Sequence, residues 1–118
     1  MKRTDIIQSL IDKVGAENYL EVGVSAGENF RDIKCKNKVG VDPEPSTPAT
    51  IHIDSDSFFK DNKRTFDVIF IDGLHHADQV YRDINNSLAI LNDKGFIVCH
   101  DMNPQLEEHQ TLPYRGGI

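Results

Sequence analysis

The feature that most constrains the fold is Val68-Ile69-Phe70-Ile71, four consecutive apolar side chains ahead of Asp72. Successive side chains of a strand point to opposite faces, so an unbroken apolar run predicts a strand covered on both sides, as in a parallel sheet flanked by helices. Phe96-Ile97-Val98-Cys99 has the same character, while Tyr19–Val24 and Lys38–Asp42 supply further strands and Ala49–Asp54 a weaker one. Helical spacing lies between them. Ile6, Ile7, Leu10, Ile11 and Val14 predict a first helix, with Thr4 or Asp5 as its cap and Gly15 as its stop. Short helices are expected over Glu28–Ile33 and, behind Ser55-Asp56-Ser57, over Phe58–Lys63. Ala77, Val80, Tyr81, Ile84, Leu88 and Leu91 mark a longer one ending near Asn92–Gly95. Strands alternating with helices predict an α/β fold, a doubly wound parallel sheet with right-handed crossovers.

The 118 residues suffice for one hydrophobic core, so residues 1–118 are expected to form a single domain. A net charge of -6 argues against nucleic acid as a partner, because such binding rests on clustered Lys and Arg. No apolar run approaches the roughly 20 residues that span a bilayer, and the start of the chain lacks the apolar core of a signal peptide. No membrane partner is expected, and the cytoplasm is the default location. With only Cys35 and Cys99 present, no disulfide framework is indicated.

Ligands of an open parallel sheet bind beyond the carboxyl ends of its strands. Here those ends carry Gly23–Gly27, Asp42, Asp54–Asp56, Asp72–His76 and His100–Asp101, all glycine, carboxylate, hydroxyl or imidazole apart from a few small or apolar residues. In Glu21-Val22-Gly23-Val24-Ser25-Ala26-Gly27 the glycines allow a sharp turn and a close approach of backbone to ligand. Asp42, 19 residues beyond Gly23, stands where a carboxylate accepts the hydroxyl hydrogens of a ribose. A dinucleotide fingerprint would need glycine where Ser25 and Glu28 stand, and Glu28 would repel a phosphate. An NAD-dependent oxidoreductase is therefore disfavoured. Adenosylmethionine has no phosphate and carries cationic groups, so it suits an acidic loop. Plainer readings stand beside these: turn glycines at Gly23 and Gly27, a turn former at Asp42 before Pro43, and a helix cap at Asp56.

Tyr19–Gly27, Val39–Pro43, Phe66–His75 and Gly95–Asp101, in this order and spacing, resemble successive motifs of class I S-adenosylmethionine-dependent methyltransferases. The Ile-Asp-Gly-x-His segment, followed by a Tyr and an Arg-Asp-Ile, resembles a small bacterial branch of that family. The resemblance implies a Rossmann-like sheet of order 3-2-1-4-5 and a methyltransferase acting on a small, hydroxyl-bearing acceptor. It implies that Glu21, Gly23, Ser25 and Gly27 line the methionine and ribose side. Asp42 would bind the ribose, Asp54, Ser55 and Asp56 would meet adenine, and Asp72 would face the methionine part or a metal. His75 is the expected general base, because a free imidazole titrates near 6.5, and Asp72 is the second expected catalytic residue.

Asp72, His100 and Asp101 offer a candidate divalent metal site, although His100 and Met102 stand where metal-dependent relatives place further acidic or amide ligands. Imidazole would favour zinc, iron or nickel over magnesium, and a hydrogen-bonded site without metal is the competing reading. Family members continue with a closing antiparallel pair that this sequence lacks, so Phe96–Cys99 is expected at an open edge. Such an edge invites a homodimer or a tail folded back over it. A truncated, non-catalytic module that binds adenosylmethionine or a partner is the second functional reading.

Overall fold

A computed structural model of the chain describes residues 3–25, 27–73, 77–101 and 110–113. Its elements are α1 (Arg3–Val14), β1 (Asn18–Val22), α2 (Glu28–Asp32), β2 (Asn37–Val41), α3 (Ser55–Asp61), β3 (Phe66–Gly73), α4 (Ala77–Ala89), β4 (Leu91–Asp101) and β5 (Gln110–Pro113). They build one sheet of order β2-β1-β3-β4-β5. The first four strands pair in parallel and β5 is antiparallel to β4. The chain goes from β1 outward to β2, then crosses back to β3 on the other side of β1. The direction of winding therefore reverses between β1 and β3, the place where such sheets open a crevice beyond their carboxyl ends.

Both faces of the sheet are covered, as the unbroken apolar runs predict. Alternate residues of each strand join different cores. Tyr19, Val68, Phe70 and Val98 pack with Ile7 and Ile11 of α1 and with Phe30 of α2 and Ile33 just after it. Leu20, Val22, Ile69, Ile71 and Ile97 pack with Phe58 of α3 and with Ile84 and Leu88 of α4. Gly15, at φ 64°, ends α1 as expected. The first turn departs from expectation: α1 already begins at Arg3, and the Thr4 hydroxyl donates to Asn29 Oδ1 at 2.6 Å, tying the helix to α2.

Three further expectations are corrected. The strand expected over Ala49–Asp54 shrinks to one parallel bridge between Ile51 and Val41. Pro48 has no N–H, Asp54 already caps α3, and the amides of Thr50 and Ile51 both donate to the Gly40 carbonyl, so no regular register can extend. The long helix ends at Ala89 rather than near Asn92–Gly95, because Leu91 already pairs with Phe66. Finally, an antiparallel strand is present. β5 pairs with Phe96–Cys99, so the edge is not open, and of the two coverings expected for it the tail folded back is the one present.

Gly40 faces α2 with no room for a side chain: a Cβ there would lie 2.8 Å from Val24 Cγ2 and 3.0 Å from the Phe30 ring. Gly40→Ala is expected to cost about 1–3 kcal/mol by overpacking, read as a lower urea midpoint at unchanged slope.

Candidate functional site

The carboxyl end of β1 leaves the strand through three left-handed residues, Gly23 (φ 87°), Ser25 (φ 55°) and Gly27 (φ 83°). Gly27 is also hemmed in by Pro48, which a Cβ at that position would strike. The Gly23 N–H donates to the Val41 carbonyl at 2.9 Å, carrying the pairing of β1 and β2 one residue past the strands. Beyond it, the Ser25 N–H donates to Asp42 Oδ2 at 2.9 Å and the Glu44 N–H to Oδ1 at 3.0 Å. The Asp42 side chain is thus turned toward the bend. A carboxylate has about four acceptor sites, so two amides leave it able to accept from a ligand.

Two clefts open beside this bend. One, of about 330 Å³, lies on the α1 and α2 side, where Glu21, Ser25, Phe70, Asp72, His100 and Arg3 line it. The other, of about 170 Å³, lies toward α3 and α4, with Val22, Gly23, Val41, Pro43 and Ser55 in its wall.

Glu21 is 1% exposed and Asp72 6%, so two carboxyl groups sit beneath the larger cleft. Tyr19 Oη and Asn29 Nδ2 donate to Glu21 Oε1 at 2.6 and 2.8 Å. Burial is the strongest influence on Glu21 and lifts its pKa to about 7, with the Asp72 charge adding to the rise and the two donors opposing it. Tyr19, wholly buried beside Glu21, is pushed well above the phenol range by the same desolvation and by that neighbouring charge.

Of the residues expected near adenine, Ser55 lines the smaller cleft and donates to the buried Asp83 at 2.7 Å. Asp54 also borders that cleft, but its carboxylate caps α3 by accepting from the Ser57 N–H, which holds its pKa low. Asp56 stands in the first turn of α3, where it accepts from Gln79 and pairs with Arg82 at 3.5 Å, so Asp54 and not Asp56 is the cap. Asp72 and His100 are partners in the β3–β4 register. Arg3 Nη2 lies 3.2 Å from His100 Nε2, occupying one ring nitrogen of a candidate metal ligand. Among the described residues no group of three or more His, Cys, Asp or Glu could hold a metal ion. His75, His76 and the side chain of Asp101 lie outside what the structure describes.

Sequence reasoning missed Arg3, Tyr19, Asn29 and Gln79. Tyr19 had a signal, since it stands two residues before Glu21 on one strand and so shares its face. The others are brought in by helix packing, which leaves no local mark.

An open α/β sheet with its crevice at the β1–β3 reversal and a carboxylate at the tip of the next strand has the architecture of a nucleoside-binding domain. The chain matches the methyltransferase domain family over residues 23–102, and it belongs to that family. No curated protein matches it in sequence. Solved structures share its fold. The N-methyltransferase NodS from Bradyrhizobium japonicum WM9 is 21% identical with a TM-score of 0.63, over 82% of this chain and 65% of that one. An O-methyltransferase from Bacillus cereus, solved with S-adenosylhomocysteine (SAH), is 18% identical with a TM-score of 0.64, over 82% and 55%. The O-methyltransferase TomG from Streptomyces achromogenes, solved with S-adenosylmethionine (SAM), is 14% identical with a TM-score of 0.65, over 82% and 54%. The chain thus spans between about half and two thirds of the length of these structures. No helix among the described residues is long and apolar enough to cross a membrane.

Because Glu21 holds its proton more tightly folded than unfolded, its contribution is fully present below about pH 4.5 and is lost as pH rises through about 7. Glu21→Gln does not titrate. Wild type is therefore expected to lose stability relative to this variant between pH 5 and 8, by on the order of 3 kcal/mol, in urea unfolding at each pH. A constant difference across that range would contradict the shifted Glu21.

Proposed function

We propose that this chain binds S-adenosylmethionine and belongs to an enzyme that methylates a small, hydroxyl-bearing acceptor. The observation that carries the reading is the bend after β1, whose residues line two clefts of unlike character and onto which the Asp42 carboxylate is turned. The residues fit this cofactor. Asp42 retains acceptor capacity for ribose hydroxyls, and the smaller cleft offers Val22, Val41 and Pro43 to the flat face of a base, with Ser55 at its edge. Glu21 and Asp72 supply negative charge to the cationic amino-acid half. When bound, the cofactor supplies an electrophilic methyl group on a sulfonium.

The protein's own contribution is orientation and exclusion of water, since methyl transfer requires the acceptor atom in line with that carbon. His75, two residues past β3 in the sequence, is assigned the role of taking the acceptor's proton, and Asp72 is the second residue assigned to catalysis. Glu28 lines the larger cleft at the start of α2, where an NAD pyrophosphate would meet its charge. This favours the sulfonium cofactor over a dinucleotide.

Calorimetric titration with SAM, SAH and NAD tests the cofactor. The first two are expected to bind and NAD not to. Asp42→Ala is expected to weaken both by about tenfold to a hundredfold, the worth of hydrogen bonds to a charged group. Binding of NAD alone would sink the reading. An assay of SAH released in the presence of hydroxyl-bearing acceptors tests turnover, and His75→Ala is expected to lower it about a hundredfold or more with cofactor affinity unchanged.

A further inference from the structure

The sheet is closed at one edge and partly open at the other. β5 covers β4, whereas the outer side of β2 meets, among the described residues, only the single bridge from Ile51 to Val41. Residues of a paired parallel strand alternate in the direction of their backbone groups. The Asn37 amide donates to the Glu17 carbonyl and the Val41 carbonyl accepts from the Gly23 amide, so both turn toward β1, and Lys38 and Gly40 face outward. Gly40 is occupied there, since its carbonyl accepts from Thr50 and Ile51 and its amide donates to the Thr50 hydroxyl. Among the described residues nothing pairs with the amide and carbonyl of Lys38. Lysine commonly guards an edge strand against another chain. Lys38 does not: its ammonium is drawn back onto the carbonyls of Phe30 and Ile33 at 2.8 and 2.9 Å, and it lies 4.9 Å from the Phe30 ring centroid on the α2 side of the sheet.

On the opposite face, beside this stretch of edge, runs a groove of about 310 Å³ walled by Val39, Ile51, Ile53, Phe58 and Phe66. It shares no residue with either cleft at the strand tips. Ile53, a large aliphatic side chain, is left 38% exposed in it. Two cations stand at the groove, Lys63 and Arg64, against one acid, Asp61. Among the described residues neither cation has a carboxylate at ion-pair distance. Arg64 is held in place: its amide and carbonyl both bond to the Asn62 side chain, at 3.2 and 2.7 Å, and its guanidinium carbon lies 5.5 Å from the Phe66 ring centroid. In a chain of net charge -6 this is a local excess of positive charge beside an apolar wall and an unpaired backbone.

We propose that the outer edge of β2 and this groove form a docking site for an extended segment of a partner protein, apolar at alternate positions and acidic at one end. Paired to Lys38, such a segment turns every second side chain toward the groove, because successive side chains of a strand point to opposite faces. Its backbone supplies the acceptor and donor that Lys38 lacks. Its apolar side chains cover Ile53 and fill the space between Val39 and Phe66, and its acidic end meets Lys63 and Arg64. A second copy joined edge to edge about a two-fold axis brings the same two cations to the contact, so charge favours the acidic segment over it.

The full chain is titrated, by fluorescence anisotropy, with the labelled peptide Glu-Glu-Val-Thr-Val-Thr-Val and with its reverse, since the segment can run either way along β2. Three comparisons follow: the same peptides with lysine for glutamate, and each peptide N-methylated on one or the other alternate set of amides. One acidic peptide is expected to bind. Its lysine counterpart binds severalfold more weakly, a difference that fades as salt is raised. N-methylation of the set facing β2 weakens binding about tenfold or more, while the other set is tolerated. Ile53→Asp is expected to weaken the acidic peptide about tenfold and Arg64→Ala severalfold, with the urea midpoint of each variant unchanged. Binding that ignores N-methylation at both sets would be mere apolar adsorption, and binding that ignores Ile53→Asp would lie elsewhere; either overturns the proposal, as does failure of every peptide to bind. Sedimentation of wild type as a dimer that Ile53→Asp dissociates would give the groove to a second copy and overturn it as well.

Discussion

One carboxylate holds the two strand tips of the site together. Asp42, just beyond β2, accepts from the amide of Ser25 after β1 and from that of Glu44 in its own loop. Ser25 is a non-glycine residue in the left-handed region, a conformation that persists only where the surroundings over-determine it. Gly23 on one side and Gly27 on the other, the latter locked against Pro48, provide that determination. The bend, the direction of its amides and the separation of the two clefts all follow from this lacing. The turn-forming and ligand-binding readings of Asp42 are thus compatible: accepting two amides uses only part of what a carboxylate offers.

The second constraint is a buried acid in a sheet. Glu21 occupies a position where the facing residues of the same sheet layer are Phe70 on β3 and Gly40 on β2. Neither has a side chain that offers the Glu21 carboxyl a hydrogen bond. Instead the carboxyl is held by Tyr19 and Asn29, and burial raises its pKa to about 7, so near neutrality its charge is poised. Sites that bind charged ligands are commonly built at some expense of stability, and the gain appears only when the partner ion arrives.

Much of the architecture was legible because it rests on local pattern. The doubly covered strands declare themselves as apolar runs at Val68–Ile71 and Phe96–Cys99, and the glycines and carboxylates at their ends follow in register. The expected third strand failed because its pattern, Ala49 to Asp54, resembles a strand in composition while its flanks belong to other structure: proline before it and a helix cap at its last residue. The returning strand β5 left no signal, since Gln110–Pro113 contains a proline and is too short to show alternation. Arg3 and Asn29 were invisible for a different reason. Each is an ordinary polar residue on a short amphipathic helix, and only the packing of α1 and α2 on one face of the sheet brings Asn29 to Glu21 and Arg3 to His100 in the same cleft.

That face matters because of the strict alternation of a strand. Glu21, Phe70, Asp72, Val98 and His100 share one parity across β1, β3 and β4, and so look toward α1 and α2. Val22, Val41 and Ile71 have the other, and look toward α3 and α4. The polar cleft and the apolar cleft are therefore the two faces of a single sheet, read at the tips of its central strands. A slip of one residue in β1 would exchange Glu21 with Val22, placing an acid in the cleft suited to a base and a valine in the cleft suited to a cation. A ligand with an apolar ring at one end and charge at the other can lie across the bend in only one direction, so strand register, fixed by the core, also fixes the orientation of what binds.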